Sequence, residues 1–409
     1  MSAPFHLFER YGVELEYMIV DSASLNVRPI ADKIVHAVGL GRKNEVKHGN
    51  LRWSNELVLH VIELKTDGPA RSLDSLATDF QKEVRYLNGM LADYACCLLP
   101  TAMHPWMDPH TETRLWPHGD RAIYQAFDRI FDCRGHGWSN LQSTHINLPF
   151  HGDEEFRRLH SAIRLILPLI PALAASSPIV EGKIGPKLDM RLEHYRHNCA
   201  RIPSITGRVI PERIHSPAEY AERILQRMYA DIAPHDPEGI LRDEWLNARG
   251  AIARFERGTI EIRVLDIQEN PAVDLAIVQF IVAILKALVS ETLSPLKAQE
   301  APLGADLADT FLQSLTTGSD TLVNNAATLN AFGLADTPSA TLNNILWHLL
   351  RRVATLRHPW RPLIEKILRQ GCLARRIRRA LPKAPNRAAL HTLYDRLAAC
   401  LHNGEFFEA

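Results

Sequence analysis

Cysteine is scarce in this chain, and its few copies are scattered. The 409 residues include six cysteines without a C-x-x-C pair, which is too few and too irregular for a disulfide framework or a structural zinc site. Net charge is also missing, because 47 basic residues balance 47 acidic ones. No overall field therefore marks a nucleic-acid or membrane binder.

The sequence also lacks long hydrophobic runs and a recognisable secretory leader. Its most apolar stretches, 165–175 and 275–285, are each 11 residues long, roughly half of the ~20 residues that a membrane-spanning helix needs. The first ten residues show no basic segment followed by an apolar one. We therefore expect a cytoplasmic protein with no membrane segment. With 46% apolar and 23% charged residues, the chain can bury a large core.

Alternation of apolar and polar residues predicts several strands. Gly12–Asp21, 56–66 and 142–148 are rich in β-formers, and two further stretches, 251–256 and Thr259–Asp266, flank a glycine-containing turn. The last two stretches predict a hairpin. Strands joined by turns of this kind indicate a mainly antiparallel sheet.

Helical periodicity fills most of the remaining chain. Apolar residues recur at helical spacing in 73–91, Asp153 can cap a following helix, and Asn270-Pro271 can begin an apolar helix to about Leu288. Beyond residue 300 we expect helices and no strong strand. The prediction is an α+β protein with two parts. Residues 1–295 would form a domain with a mainly antiparallel sheet and helices outside it, and 296–409 a helical region packed on that domain.

Pairs of polar residues two positions apart share one strand face, because successive side chains alternate. Three such pairs are Glu14 and Glu16, His145 and Asn147, and Glu261 and Arg263. Taken singly, each pair is more often a solvent-facing edge or a local contact than a functional site. Together, they indicate an acid-rich surface with a few cations. Such oxygen ligands suit Mg²⁺ or Mn²⁺ that holds the phosphates of a nucleotide.

Glu56 and Glu63 bracket the second predicted strand. Glu63 lies in an apolar run, and a buried carboxylate must be paired, hydrogen-bonded or metal-bound. A salt bridge to a neighbouring Lys or Arg is therefore as good an interpretation as a metal site. The two residues are seven positions apart, so a regular strand would turn them to opposite faces. A shared site requires a bulge, or Glu56 placed just before the strand.

A basic segment lies near the C-terminus. From Arg351 to Arg387 the chain carries twelve Lys or Arg and one acid, Glu365. Apolar residues within the segment favour packed helices, so we interpret it as a basic helical face docked on an acidic body. The alternative is a surface for an acidic macromolecule, and the matching function would be that of a non-catalytic binding protein.

Four motifs, taken in order, resemble the glutamate–cysteine ligase superfamily, in particular its bacterial family 2 of carboxylate–amine ligases. They are GVELEYMIVD, the stretch from Glu56 to Glu63-Leu-Lys-Thr, STHIN and GTIEIRVLD, and the resemblance spans roughly residues 10–290. It implies a glutamine-synthetase-like fold with a sheet curved around the active site. It also implies that ATP and Mg²⁺ are used to phosphorylate the γ-carboxylate of glutamate, after which an amine, usually cysteine, displaces phosphate.

The resemblance also implies roles for individual residues. The residues that would bind metal are Glu14, Glu16, Glu56, Glu63, His145 and Glu261. Arg263 would contact the transferring phosphoryl group, and Arg249 or Arg254 would contact a phosphate or carboxylate. Asn147 would bind the substrate or hold His145 in place.

The expected ligands are thus ATP, Mg²⁺ or Mn²⁺, glutamate and an amine, with cysteine first. A different amine, or a peptide or other macromolecular substrate, is the alternative within the same chemistry. Association of the chain with copies of itself also stays open.

Overall fold

An antiparallel sheet forms the centre of the computed structural model, which describes residues 4–41 and 44–409. The strands of this described part are β1 (Gly12–Asp21), β2 (Glu45–His48), β3 (Leu51–Asn55), β4 (Val61–Thr66), β5 (Cys96–Leu99), β6 (Ser143–Pro149), β7 (Ile179–Val180), β8 (Lys183–Ile184), β9 (Ala251–Arg254), β10 (Thr259–Asp266), β11 (Leu322–Val323) and β12 (Ala340–Thr341). The main sheet has the order β2-β3-β4-β1-β6-β10-β9, and β5 also pairs with β1. The sheet does not close, and β7-β8 and β11-β12 are separate two-stranded pairs.

Helices surround this sheet, and the largest of them pack on its apolar side. They are α1 (Ala31–Gly39), α2 (Leu76–Ala92), α3 (Pro109–Glu112), α4 (Arg121–Phe131), α5 (His136–Ser139), α6 (Gly152–Ile166), α7 (Ile170–Ala174), α8 (Met190–Tyr195), α9 (Pro217–Tyr220), α10 (Arg227–Ile232), α11 (Pro271–Val289), α12 (Leu296–Gln299), α13 (Gly304–Thr317), α14 (Ala326–Ala331), α15 (Leu342–Val353), α16 (Arg361–Gln370), α17 (Leu373–Ala380) and α18 (Arg387–Asn403). The α+β class with a large antiparallel sheet is confirmed.

The two-residue period of the strands separates the core from the polar face. On β1, Val13, Leu15 and Tyr17 are fully buried in the main hydrophobic core. Glu14 and Glu16 alternate with them and therefore point to the other face. The same separation holds on the neighbouring strands, so the apolar side packs on helices while the opposite side collects polar groups.

The predicted apolar helix is α11, and its start follows the local sequence. The side chain of Asn270 accepts hydrogen bonds from the backbone amides of Ala272 and Val273, and Pro271 occupies the first turn. α11 is the one helix of the described residues with the length and composition to cross a membrane, and 67% of its apolar window is buried in this fold. It packs against α2, α6, α15 and α16, so the protein core accounts for its hydrophobicity.

Several predicted boundaries are wrong. The second strand begins at Val61, because Leu59 donates its amide proton to the carbonyl of Arg114 and Val58 bridges to Leu115 instead of continuing the main ladder. The sequence analysis also missed β3, which lies between Glu56 and β2. Asp153 lies inside α6 rather than capping it, and β11 and β12 are short strands beyond residue 300.

The C-terminal helices share the core of the sheet. α15 and α16 pack on α11, while α18 packs on α2 and β5. The division of the chain into a domain of residues 1–295 and a region of residues 296–409 stays a prediction.

Much of the basic segment from Arg351 to Arg387 is engaged within this chain. Eight of its twelve basic side chains make hydrogen bonds or ion pairs with groups of the same chain. They are Arg352, Arg361, Lys366, Arg369, Arg375, Arg376, Arg378 and Arg387. This is the arrangement expected of a docked helical face, and a macromolecular partner for the segment stays a prediction.

A buried ion pair fastens α17 to the sheet domain. Arg376 and Glu269 are both inaccessible to solvent, with 2.5 Å between Nη1 and Oε1. The same guanidinium nitrogen donates to the carbonyl of Phe407 at 2.6 Å. Glu269 precedes α11 and Phe407 follows α18, so this one arginine connects three separate parts of the chain.

We expect Arg376→Met to destabilise the protein by about 3–5 kcal/mol, because removing one partner leaves the other charge buried without compensation. Urea unfolding, followed by circular dichroism, would measure the change. Arg379→Met is the matched control, since Arg379 lies on the same helix and is exposed. Equal midpoints for the two variants would contradict a stabilising role for the pair.

Candidate active site

Cross-strand neighbours bring the predicted acidic residues of β1 and β4 together. Glu14 lies opposite Lys65 on one side and His145 on the other, and Glu16 lies opposite Glu63. Residues directly opposite each other in an antiparallel pair project to the same face. The register of the sheet therefore builds an acid-rich surface from residues that are far apart in the sequence.

Two overlapping groups of side chains could hold a metal ion. One oxygen each from Glu16, Glu56 and Glu63 lie within 4.8 Å of one another, and the same is true of one ligand atom each from Glu14, Glu63 and His145. Glu56 follows β3 and lies outside any strand. Its odd spacing from Glu63 therefore does not turn it away, which is the second of the two alternatives that the sequence left open.

Mutual repulsion is the main electrostatic feature of this cluster. Burial, together with the charges of Glu16 and Glu63, raises the pKa of Glu56 well above its usual value. Burial and the charge of Glu14 also raise the pKa of Glu63. Glu63 nevertheless has partners, because Lys65 Nζ lies 3.0 Å and Ser54 Oγ 2.5 Å from its Oε1. Glu63 therefore forms a salt bridge with Lys65 and also belongs to the carboxylate cluster.

His145 lies between carboxylates and is held at both ring nitrogens. Nδ1 lies 2.9 Å from Glu14 Oε2, and Nε2 lies 2.9 Å from Ser143 Oγ. Burial lowers the pKa of the imidazole, but the hydrogen bond to Glu14 and the nearby carboxylate charges outweigh it and raise the pKa to about 9. His145 is therefore a cation within the cluster, and it would have to lose a proton before it could bind a metal. Asn147 donates to the other oxygen of Glu14 at 3.1 Å.

Glu261 is a paired carboxylate at the edge of the cluster. Arg263 Nη2 lies 2.5 Å from its Oε1, and Arg254 Nη1 lies 3.4 Å from its Oε2. Burial alone would raise the pKa of Glu261, but the charges of Arg263, His145 and Arg254 lower it to about 2. Glu261 lies 4.0 Å from His145 Nδ1, so a change of charge on either residue affects the other.

Arg249 is the predicted residue that the structure does not bring to the cluster. Its guanidinium group forms two hydrogen bonds with Glu212, at 2.6 and 2.7 Å, and a third with the carbonyl of Ser204. Arg249 is also absent from the lining of a cavity that lies beside the carboxylates and is described next. Of the two alternatives, Arg254 is the one that lies within reach of that site.

A cavity of about 350 Å³ lies over the carboxylate cluster and adds residues that the sequence analysis did not assign. These are Lys65, Tyr124, Phe127, Trp138, Ser143, Arg191, Tyr195 and Arg257. Lys65 and Ser143 could have been found, because each lies two positions from a predicted site residue on the same strand. The others come from α4, α5, α8 and the β9–β10 connection, and no local pattern relates them to the sheet.

A larger cavity of about 840 Å³ adjoins the first one. The two share Glu14, Lys65 and Arg257 as lining residues. Aromatic rings line the larger cavity together with cationic side chains: Phe5, Tyr11, Phe150, Phe255, Arg10 and Arg52. Aromatic faces and arginines together suit a ligand with a flat ring system and negative charge.

Comparison with known proteins gives a consistent family. The model of glutamate–cysteine ligase family 2 matches residues 10–381, beyond the 10–290 that the motifs indicated. An uncharacterised protein of Archaeoglobus fulgidus is 41% identical over 280 residues, which cover 68% of this chain and 75% of that protein. A protein of Nocardioides sp. with the provisional name glutamate–cysteine ligase 2-1 is 27% identical over 304 residues, covering 70% and 69%.

A solved structure shares the fold. The glutamate–cysteine ligase of Francisella tularensis, in complex with AMP, matches with a TM-score of 0.63 at 13% identity, covering 98% of this chain and 90% of that one. This likeness shows the fold, while the family model shows the relationship in sequence over most of the chain. The chain therefore belongs to glutamate–cysteine ligase family 2, a family of ATP-dependent carboxylate–amine ligases.

Proposed function

We propose that this protein forms an amide on the γ-carboxylate of glutamate through an acyl phosphate, with cysteine as the leading amine. The observation that carries the proposal is the largely buried cluster of Glu16, Glu56 and Glu63, which lines the smaller of two adjoining cavities together with the ion pair of Glu261 and Arg263. The provisional name of the Nocardioides relative supports glutamate and cysteine as substrates.

The donor set fits Mg²⁺, with Mn²⁺ as an alternative. Both are hard cations that prefer carboxylate oxygens, and a divalent cation would offset the repulsion that raises the pKa of Glu56. Glu16, Glu56 and Glu63 would hold one ion, and Glu14 and His145, with Glu63 shared, would hold another. Ions held by these residues would supply positive charge that neutralises the phosphates of a nucleotide.

ATP fits the larger cavity. An adenine ring can stack on its aromatic side chains, of which Tyr11 and Phe255 are examples, and Arg10 and Arg52 can attract the triphosphate. Because Glu14 and Lys65 line both cavities, the phosphates would reach the carboxylate cluster at this shared boundary. Arg263 lines the smaller cavity beyond this boundary, where it could contact the terminal phosphate.

The chain's own residues would then favour transfer and protect the product. Arg263 and Arg254 are fixed donors that can stabilise negative charge developing on the transferring group. Tyr124, Phe127 and Trp138 form an aromatic wall of the smaller cavity. Such a wall limits water at the site, which matters because an acyl phosphate hydrolyses readily.

Arg191 is the candidate for holding the substrate carboxylate. Its side chain is 2% exposed and lines the smaller cavity, with Nε 2.5 Å from Asp266 Oδ1. The terminal nitrogens lie only at the long distance of 3.4 Å from the carbonyl of Arg263, so they retain capacity for a carboxylate.

The six cysteines are free thiols, which is compatible with the cytoplasmic location that we still predict.

The first prediction concerns the substrates. With ATP, Mg²⁺ and glutamate, we expect phosphate release that depends on cysteine among the twenty amino acids tested singly. The product would have the mass of γ-glutamylcysteine. Turnover with a different amine would keep the ligase and replace cysteine, whereas no turnover with any amino acid would contradict a small amine substrate and favour a peptide.

The second prediction concerns Glu261→Gln. The change removes the negative charge that fixes Arg263 and Arg254, so we expect phosphate release to fall by at least about 100-fold, the scale seen when one electrostatic group at a reacting centre is lost. Because Glu261 is buried beside cations, its neutralisation should also lower the melting temperature, so activity would be measured at a temperature where circular dichroism shows the variant folded. Glu222→Gln is the control, since Glu222 is exposed and lines neither of the two cavities. Near-normal activity of Glu261→Gln would contradict its role.

The third prediction concerns Glu56→Gln and pH. The pKa of Glu56 is raised in the folded protein, so its proton stabilises the fold below the usual glutamate pKa, and this contribution is lost as pH rises. Glutamine has no such loss. In EDTA, Glu56→Gln should therefore melt at a higher temperature than the wild type, with a larger gain at pH 8 than at pH 5.

Excess Mg²⁺ should shrink that gain, because the cation offsets the same repulsion. Glu222→Gln again serves as the control and should show no pH-dependent gain. A Glu56→Gln variant less stable than the wild type at pH 8 in EDTA would show that repulsion does not dominate the cluster.

A further inference from the structure

A second group of metal-ligating side chains lies outside the acidic cluster. Asp32 and His36 are four positions apart on α1, which places them on one face of the helix. His118 comes from the connection between α3 and α4. One ligand atom from each of the three residues lies within 4.8 Å of the others. The sequence separates His118 from the other two by more than eighty positions, so its own spacing to other histidines does not indicate the group.

The three side chains face one another and remain accessible. His118 Nε2 lies 3.1 Å from Asp32 Oδ2, with the two side chains 19% and 23% exposed. The rings of His36 and His118 lie 4.6 Å apart between centroids, and the buried ring of Trp116 contacts both edge-on. An aromatic wall on one side and partial exposure on the other leave a path for an ion while shielding the ligand atoms.

We propose that Asp32, His36 and His118 bind a first-row transition-metal ion, with Zn²⁺ as the leading candidate. Two imidazoles and one carboxylate are a donor set that favours Zn²⁺ and its neighbours over Mg²⁺, which prefers oxygen alone. Water would complete the coordination. His118 Nε2 and Asp32 Oδ2 already lie 3.1 Å apart, and a ligand atom of His36 lies within 4.8 Å of the ligand atoms of both. This site is independent of the proposed ligase reaction.

The position of this group gives the ion a structural role next to the active site. The amide of Trp116 donates to the carbonyl of Leu57 at 2.9 Å, and the amide of Ala31 donates to the carbonyl of Leu59 at 2.8 Å. The segment directly after Glu56 is therefore held between α1 and the strand-like stretch before His118. An ion shared by these two elements would fasten both supports and so fix the position of Glu56.

Zinc binding by the full chain tests the proposal. Protein freed of metal by a chelator would be titrated with Zn²⁺, against a chromophoric competitor, in excess Mg²⁺ to occupy the acidic cluster. We expect one tight Zn²⁺ per chain. His118→Gln and His36→Gln should each bind at least about 100-fold more weakly, since even changes to groups behind the ligands weaken metal affinity by 10–100-fold.

His110→Gln is the matched control, because His110 is exposed and lies on α3, just before the connection that carries His118. It should bind Zn²⁺ as the wild type does, and so should Glu56→Gln. Zinc should also raise the melting temperature of the wild type but not of His118→Gln, and slow hydrogen exchange at the amides of Leu59 and Trp116.

Three outcomes would overturn the proposal. The first is that the wild type binds Zn²⁺ no more tightly than His118→Gln does. The second is that His110→Gln loses as much affinity as His118→Gln. The third is that Glu56→Gln abolishes binding, which would assign the ion to the acidic cluster. If His118→Gln does not fold without metal, Asp32→Asn and His36→Gln give the same comparison, and unchanged affinity in both would also overturn the proposal.

Discussion

Repulsion between carboxylates buried side by side is the constraint on which this site depends. A buried charge requires a partner, and like charges at short range oppose each other's ionisation. The chain meets part of this requirement itself, with His145 beside Glu14 and Lys65 beside Glu63. It leaves Glu56 with a strongly raised pKa. A bound cation would complete the compensation, so the repulsion that opposes ionisation of these carboxylates would favour cation binding.

The polar face could be predicted because it is a local property of strands. Glu14 with Glu16, and Glu261 with Arg263, share a face whatever the rest of the fold does, since the side-chain period of a strand is two. The pairing of the strands is a property of the whole sheet. It could be predicted only through the family resemblance that the order of the motifs indicates. The start of the apolar helix α11 could be predicted for a similar reason, because Asn270 and the following proline act on the first turn of the helix itself.

The rest of the site depends on contacts that no local pattern carries. Glu56 reaches the cluster from a connection, so a parity rule made for strands does not apply to it. Arg249 has the residue type and the sequence position of a phosphate ligand, yet Glu212, 37 positions away, holds its guanidinium group. Arg191 enters the cavity from α8, where nothing in its neighbourhood resembles a strand. Charge and spacing identify candidates, and only tertiary packing decides between partners within the chain and partners outside it.

Glu56 also differs from its neighbours in how it is positioned. Glu16 and Glu63 lie on adjacent strands whose ladder fixes their separation, whereas Glu56 lies outside the ladder, between the end of β3 and the turn that follows. That turn is supported by α1 through Ala31 and by the stretch around Trp116. Small movements of either support would shift one carboxylate of the cluster while leaving the other two in place. The position of Glu56 relative to Glu16 and Glu63 therefore depends on elements that lie outside the sheet, while the ladder holds the other two carboxylates in place.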